Sequence, residues 1–242
     1  TRVLVAPRAE VLRLMSRMPE MSDIILSVLA ARRRRQVEAG DGNLTLIAPE
    51  TDRGLRRIES FLSRNKVPFN VMSLDDPKAH LLCGGEACAG VTFGDEGLID
   101  APTPARIARR LGLDEPAAQA AETDVLIVGG GPAGVAAAVY AGAEGLSSVL
   151  IEELAVGGQA GTSSRVENYM GFPTGISGGD LVWRGEIQAM KFGTRFVRPR
   201  RVTGLERQAD GRFSVSLDDG GPIVTSAIVV ASGVQYRRMP WE

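Results

Sequence analysis

Gly129, Gly131 and Gly134 occupy the three glycine positions of G-x-G-x-x-G, with Pro132 and Ala133 filling the last gap. Glycines at this spacing suit phosphate chemistry. The first permits a sharp turn, the second removes a side chain that would block a pyrophosphate, and the third lets a helix pack closely on a sheet. Amide hydrogens at the start of that helix have no intrahelical acceptor, and the dipole behind them favours negative charge. Pro132 costs nothing in the first turn, where its missing donor would have had no partner. A glycine motif alone is weak evidence, and its surroundings are what raise it here. Residues 124–128 read as an apolar strand, an Ala-rich stretch to about Glu144 reads as a helix, and 149–151 reads as the next strand. Glu152 closes that strand, where an acid accepts from a ribose hydroxyl. Glu153 beside it reads either as an exposed residue or as a second ribose contact.

Three further groups can touch a flat or phosphorylated ligand. Gly157 and Gly158 allow backbone to approach closely, followed by Gln159; a flexible surface loop is the alternative. Asn168 offers a donor and an acceptor, to a heterocycle edge or to its own loop. Ala231, Ser232 and Gly233 follow an apolar stretch, at a strand end where ligands of open α/β sheets collect. The two cysteines, Cys83 and Cys88, are separated by Gly84, Gly85, Glu86 and Ala87. That spacing is not Cys-x-x-Cys, and a loop lacks the helix N-terminus that lowers a thiol pKa. They read as unremarkable thiols, with an accessory redox pair or a metal site as alternatives. Metal is the weakest of these, because His80 is the sole histidine. His80 itself reads as a solvated loop residue. No catalytic residue and no metal ligand is assigned.

Such groups need elements to hold them. The chain has 242 residues and a net charge of −1, so no overall field argues for nucleic acid or a membrane surface. No apolar run approaches the roughly 20 residues that span a bilayer, and residues 1–7 do not form a signal peptide. Two cysteines make no disulfide framework, and a cytoplasmic location is expected. Glycine, at 29 residues, is well above its usual share of about 7%, which fits a fold with many close backbone approaches. The start without methionine and the stop at Trp241-Glu242 read as a fragment.

Three segments follow. Residues 1–40 read as a strand (Val3, Leu4, Val5), a helix carrying Val11, Leu12, Leu14 and Met15, a break at Pro19, and a second helix capped by Ser22. Arg32 to Arg35 end that helix as a solvated C-terminus where cations suit the dipole, with a nucleic-acid patch as the alternative. After a turn at Gly40-Asp41-Gly42, residues 43–120 read as strand 44–48, a helix capped by Thr51 or Asp52 with Leu55, Ile58, Phe61 and Leu62 on one face, and strand 67–74. A hairpin from 91–93 and 97–99 comes next, then a helix over 105–111 opened by Pro104 and stopped by Gly112. Residues 122–242 carry the strand–turn–helix–strand unit and then strands over 195–207, 213–217 and 223–231, joined by Asp-Gly turns.

The stretch 124–233 resembles the FAD domain of low-molecular-weight thioredoxin reductases and their relatives. The matching pieces are 129–134 with Val139-Tyr140-Ala141, then Gly157-Gly158-Gln159, then Val166-Glu167-Asn168-Tyr169, and finally Val229-Val230-Ala231-Ser232-Gly233. Their order and spacing agree across this half of the chain. The resemblance implies that the 157–158 loop lies along FAD with Gln159 hydrogen-bonding it, and that Asn168 lies near the flavin. Ser232 stands where the family usually has threonine, which keeps the hydroxyl and loses a methyl. Residues 43–113 resemble a thioredoxin or glutaredoxin-like module that lacks its Cys-x-x-Cys, since Pro49-Glu50-Thr51-Asp52 stands there, and Gly90 stands where thioredoxins carry a cis-proline. Residues 1–35 weakly resemble the end of a cyclic nucleotide-binding domain, with two plain linker or dimer helices as the alternative.

The fold class implied is α/β: a thioredoxin-like domain, then an incomplete FAD-binding Rossmann-like three-layer domain with a β-meander, cut before an NAD(P)H domain. The implied activity is a thioredoxin-disulfide reductase type, passing electrons from NAD(P)H through FAD to a disulfide of a thioredoxin-like or other protein. The fragment alone is expected to be inactive, and the redox Cys-x-x-Cys is expected beyond Glu242. Alternatives are a ferredoxin- or flavodoxin-NADP reductase-like flavoenzyme and a non-catalytic sensor of redox state or nucleotide. A homodimer is the expected assembly, with a cyclic nucleotide as a further ligand upstream, and neither nucleic acid nor membrane as partner.

Overall fold

A computed structural model of the chain describes residues 7–18, 20, 24–25, 28, 44–47, 52–82, 89–94, 97–117 and 121–234. The readings of Val3 to Val5, Pro19, Ser22, Arg32 to Arg35, Gly40 to Gly42, Pro49 to Thr51, Cys83 and Cys88 lie outside the described residues. The chain divides into two compact units, Thr1–Asp114 and Glu115–Glu242.

In the first unit, α1 (Arg8–Arg17) is the expected N-terminal helix, and positions 20, 24, 25 and 28 are helical. β1 (Leu44–Ile47) then leads into α2 (Arg53–Arg64). Asp52 starts α2 because its carboxylate accepts from the amides of Gly54 and Leu55, at 2.7 and 3.1 Å. Leu55, Ile58, Phe61 and Leu62 are all buried, each contributing roughly 1.5–3 kcal/mol. β2 is shorter than the expected strand, Asn70–Met72. Val67 instead closes the end of α2, its amide donating to the Leu62 carbonyl at 2.9 Å. An unforeseen helix, α3 (Pro77–Leu82), follows. Asp76 opens it by accepting from the Lys78 amide at 2.8 Å. His80 therefore sits exposed on a helix rather than in a loop. β3 (Gly90–Phe93) and β4 (Ile99–Asp100) form the hairpin, and α4 (Pro104–Leu111) ends as expected on Gly112 at φ 66°. The sheet runs β2-β1-β3-β4, with β1 and β2 parallel and the other pairs antiparallel.

The second unit is α/β with a Rossmann-like core. β5 (Glu122–Val128), α5 (Pro132–Ala143) and β6 (Ser148–Ile151) form the expected βαβ unit. A helix that sequence reading passed over, α6 (Gly178–Lys191), comes next, capped by the Ser177 hydroxyl on the Asp180 amide at 3.1 Å. The single strand expected over 195–207 is two. β7 (Arg195–Val197) lies parallel to β6, whereas β8 (Val202–Arg207) pairs antiparallel with β9 (Phe213–Leu217). Pro199 lies in the break, and its missing amide cannot carry a ladder onward. β10 (Ile223–Val230) returns parallel to β5 and completes the order β7-β6-β5-β10-β9-β8.

Both faces of the β7-β6-β5 part of this sheet are covered. On one, Ile127, Leu150 and Phe196 pack with Val135 and Ala138 of α5 and Ala189 of α6. On the other, Leu126, Val149, Ile151 and Val197 pack with Val215 and Ile223 of the meander and with Ala117. Gly185 explains how closely α5 and α6 approach, since a Cβ there would stand 2.7 Å from Val135 Cγ1. At the far end of β5, Asp124 accepts from the Ser147 hydroxyl at 2.6 Å and the Ser147 amide at 2.8 Å. Those two donors hold its carboxyl below the usual carboxylate range. No helix among the described residues is long and apolar enough to cross a membrane.

Candidate functional site

Where β5 ends at Val128 the chain must turn at once into α5. Gly129 makes that turn at φ 103°, in a region that side chains rarely adopt. A Cβ on Gly129 would also stand 2.4 Å from the Ala231 carbonyl oxygen. The Gly129 amide donates to Ile151 O and the Ala231 amide to Val128 O, each at 2.8 Å. The turn is thereby tied to β6 on one side and to the end of β10 on the other. β6 and β7 lie on one side of β5 and β10 on the other. Ligands of open α/β sheets collect at such a switch point.

Three glycines then serve different ends. Gly134 brings α5 down onto the turn, because a Cβ there would be 1.9 Å from Gly129 O. Gly131 is the N-cap of α5, in extended backbone at φ −71° and ψ 178°, and no side chain caps the helix. Pro132 follows at the first helical position, so the amides of Ala133 and Gly134 start the helix without an intrahelical acceptor. A Cβ on Gly131 would meet nothing nearer than Gly158 Cα, at 4.0 Å. Gly158, at φ 51°, is bare on its own side, where a Cβ would lie 3.1 Å from Gly131 Cα. The Gly157 amide holds this second loop in place by donating to Gly130 O at 2.7 Å.

Glu152 does more than end β6. Its Oε2 accepts from the Gly130 amide at 2.7 Å, and its Oε1 from the amides of Leu154 and Ala155 at 2.9 and 3.3 Å. A carboxylate has about four acceptor sites, so these three leave one on Oε2 for a hydroxyl. Gly130, which sequence reading passed over, is the partner that makes this possible: a Cβ on it would crowd Oε2 at 3.1 Å. The signal was present as the middle of three consecutive glycines. Glu153 is half-buried.

The remaining candidates divide. Gln159 is exposed, and its Nε2 donates to Val234 O at 2.7 Å, joining the 157–159 loop to the segment after β10. Ser232 and Gly233 lie exposed on that same segment, Gly233 at φ 71°. Asn168 stands exposed on a separate loop closed by the paired backbones of Val166 and Ile176. Among the described residues it shares no hydrogen bond with the glycine turn. Also among the described residues, no cluster of three or more His, Cys, Asp or Glu side chains is arranged to hold a metal ion.

A bare turn, an uncapped helix start and an acid at the second strand end thus meet at one switch point. Residues 123–242 match the family model described as pyridine nucleotide-disulphide oxidoreductase. The match falls within the second unit. Thioredoxin reductase 1 of Saccharomyces cerevisiae is 33% identical over 121 residues, which cover 48% of this chain and 38% of that protein. The bifunctional thioredoxin reductase/thioredoxin of Mycobacterium leprae is 33% identical over 129 residues, 52% of this chain and 28% of that one. Among solved structures, thioredoxin reductase from Streptococcus pyogenes is 33% identical at a TM-score of 0.46, covering 50% of this chain and 38% of that one. The chain thus spans less than two-fifths of the length of these oxidoreductases.

Proposed function

We propose that the glycine turn between β5 and α5 holds the diphosphate of FAD, and that the intact protein passes electrons from NAD(P)H to a disulfide of a thioredoxin-like partner. The observation that carries this reading is the pair of bare backbones at Gly131 and Gly158 beside an uncapped helix start. The fit is chemical as well as steric, since a diphosphate needs donors and α5 presents amides with its dipole behind them. Bound there, FAD would supply a two-electron carrier between nicotinamide and disulfide. The chain's own residues do the holding. Ala133 and Gly134 offer their amides to the negative charge, and Glu152 offers its remaining acceptor site to a ribose hydroxyl. Gln159, Asn168 and Ser232 are the polar side chains available to the rest of the cofactor, with Ala231 and Gly233 keeping the end of β10 open to it. Glu153 is a further acceptor beside the ribose.

The first unit has a different part in this reading. Its β2-β1-β3-β4 order, with β1 and β2 parallel and the other pairs antiparallel, supports a thioredoxin-like module. Asp52, however, occupies the start of α2 with its carboxylate, where a thiolate would need those same amides. The unit serves as a spacer without thiol exchange, preceded by a regulatory segment of cyclic nucleotide-binding type, and the protein works as a cytoplasmic homodimer. The relatives named as thioredoxin reductases, one of them fused to thioredoxin, support the choice of acceptor. Full-length protein supplied with NADPH and thioredoxin is expected to oxidise the nucleotide, followed by its absorbance, in step with reduction of the thioredoxin disulfide. Absence of nucleotide consumption with thioredoxin and with small disulfides alike would overturn the reading.

A further inference from the structure

The chain enters the second unit through a short segment that is built into it. Glu115 and Arg198 exchange backbone hydrogen bonds, Glu115 N to Arg198 O at 2.8 Å and Arg198 N to Glu115 O at 3.0 Å. Their side chains meet as well: Arg198 Nε lies 2.9 Å from Glu115 Oε2, and Nη2 lies 2.7 Å from Glu186 Oε1 on α6. The Arg198 side chain is 13% exposed, and those of Glu115 and Glu186 are 20% and 14%. Burial opposes the charge, but Glu186 and Glu115 outweigh it and raise the pKa above the ordinary arginine value. Two residues further along the entering segment, Ala117 is part of the core beneath the meander.

This cluster connects to the glycine turn through few bonds. Beyond Arg198, the Arg200 amide donates to Glu152 O at 2.9 Å, and the Glu152 amide donates to Val197 O at 3.1 Å. Residues 197–200 therefore fix the backbone of Glu152 from both sides. The carboxylate of Glu152 in turn fixes Gly130, whose carbonyl fixes Gly157.

We propose that Glu115 and Arg198 are positioning residues for the dinucleotide turn, holding residues 197–200 so that Glu152 keeps Gly130 and the two bare backbones in place. The inference deepens the reading of the glycine turn as a dinucleotide site and rests on it. It gives the entering segment a role in cofactor retention. A guanidinium that bridges two carboxylates is needed, which a lysine ammonium does not reproduce.

Hydrogen exchange of the full-length apoprotein tests this directly, comparing wild type with Glu115→Ala, Arg198→Lys and the isosteric Glu115→Gln. Exchange is expected to quicken by about tenfold both at the amides of Glu115 and Ala117 and at 129–131, while residues 202–217 of the meander keep their protection. Loosening at 115–117 with the turn unchanged would overturn the proposal. So would equal acceleration everywhere, which would mark the cluster as general stabilisation. If Glu115→Ala fails to fold, Glu115→Gln carries the same expectation and the same refutations. A FAD titration of the same variants, followed by flavin fluorescence, is expected to show affinity lowered about tenfold, a change of ~1.4 kcal/mol, with Glu115→Ala and Arg198→Lys non-additive in combination. Wild type that binds FAD alongside variants that bind it equally well would sink the positioning role alone. Wild type that binds no FAD would sink the cofactor reading, and with it the role assigned to these residues.

Discussion

Gly131→Val in the full-length protein is expected to leave the fold standing and to strip it of flavin. The Cβ would have no protein atom closer than 4.0 Å, and φ −71° with ψ 178° is extended backbone that valine adopts readily. Loss of the glycine at an N-cap that provides no side-chain bond costs at most about 1 kcal/mol. On the ligand side the balance is different. The added isopropyl group stands at the N-cap itself, across the approach that a diphosphate must take to come within hydrogen-bond reach of the Ala133 and Gly134 amides. Losing that approach is worth about 3 kcal/mol or more, a hundredfold or greater fall in affinity. The checks are the visible flavin band of the purified variant, expected to vanish, and its circular dichroism, expected to match wild type. Retained flavin would remove Gly131 from the ligand's path.

Gly134→Ala should do the reverse and damage the fold itself. Its Cβ would stand 1.9 Å from Gly129 O and 3.1 Å from Gly129 C, against backbone that cannot rotate away. Gly129 has little room to yield, being held at φ 103° with Ala231 behind it. Relief requires α5 to rise from β5, uncovering Ile127, Val135 and Ala138. Overpacking of a tight core by one methyl costs typically 1–3 kcal/mol, and the backbone contact puts this case at the upper end. A fall in Tm of roughly 5–10 °C is expected, measured by thermal unfolding of the apoprotein. Gly221→Ala is the matched control, since a Cβ there meets nothing within 4 Å, and it should stay within about 0.5 kcal/mol of wild type. Equal stability of the two variants would contradict the packing described for Gly134.

The contrast between these glycines explains what the sequence made legible. The turn at 129–134, the strand before it and the acid after it are local, and each residue type states its own reason. The helix α6 was illegible for a related cause. Gly178 and Gly185 lower helix propensity by about 1 kcal/mol each relative to alanine, yet packing demands them. A Cβ on Gly178 would stand 1.7 Å from Ala160 O, and one on Gly185 would meet Val135. Ser177 with Asp180 was the signal that could have marked its start. The division of 195–207 into a parallel and an antiparallel strand depends on partners far along the chain, with only Pro199 as a local hint. From its place after β6, Glu152 reads as a ribose acceptor. Its three amide partners, at 130, 154 and 155, are set by tertiary contact, and no spacing rule points to them. The pairing of Glu115 was hidden in the same way, since its partner Arg198 stands far along the chain.

The most direct measurement is a crystal structure of the full-length protein grown with saturating FAD. The diphosphate is expected against the amides of Ala133 and Gly134, beside Gly131 and Gly158, with a ribose hydroxyl on Glu152. An empty turn at saturating cofactor, or FAD seated elsewhere on the protein, would contradict that placement.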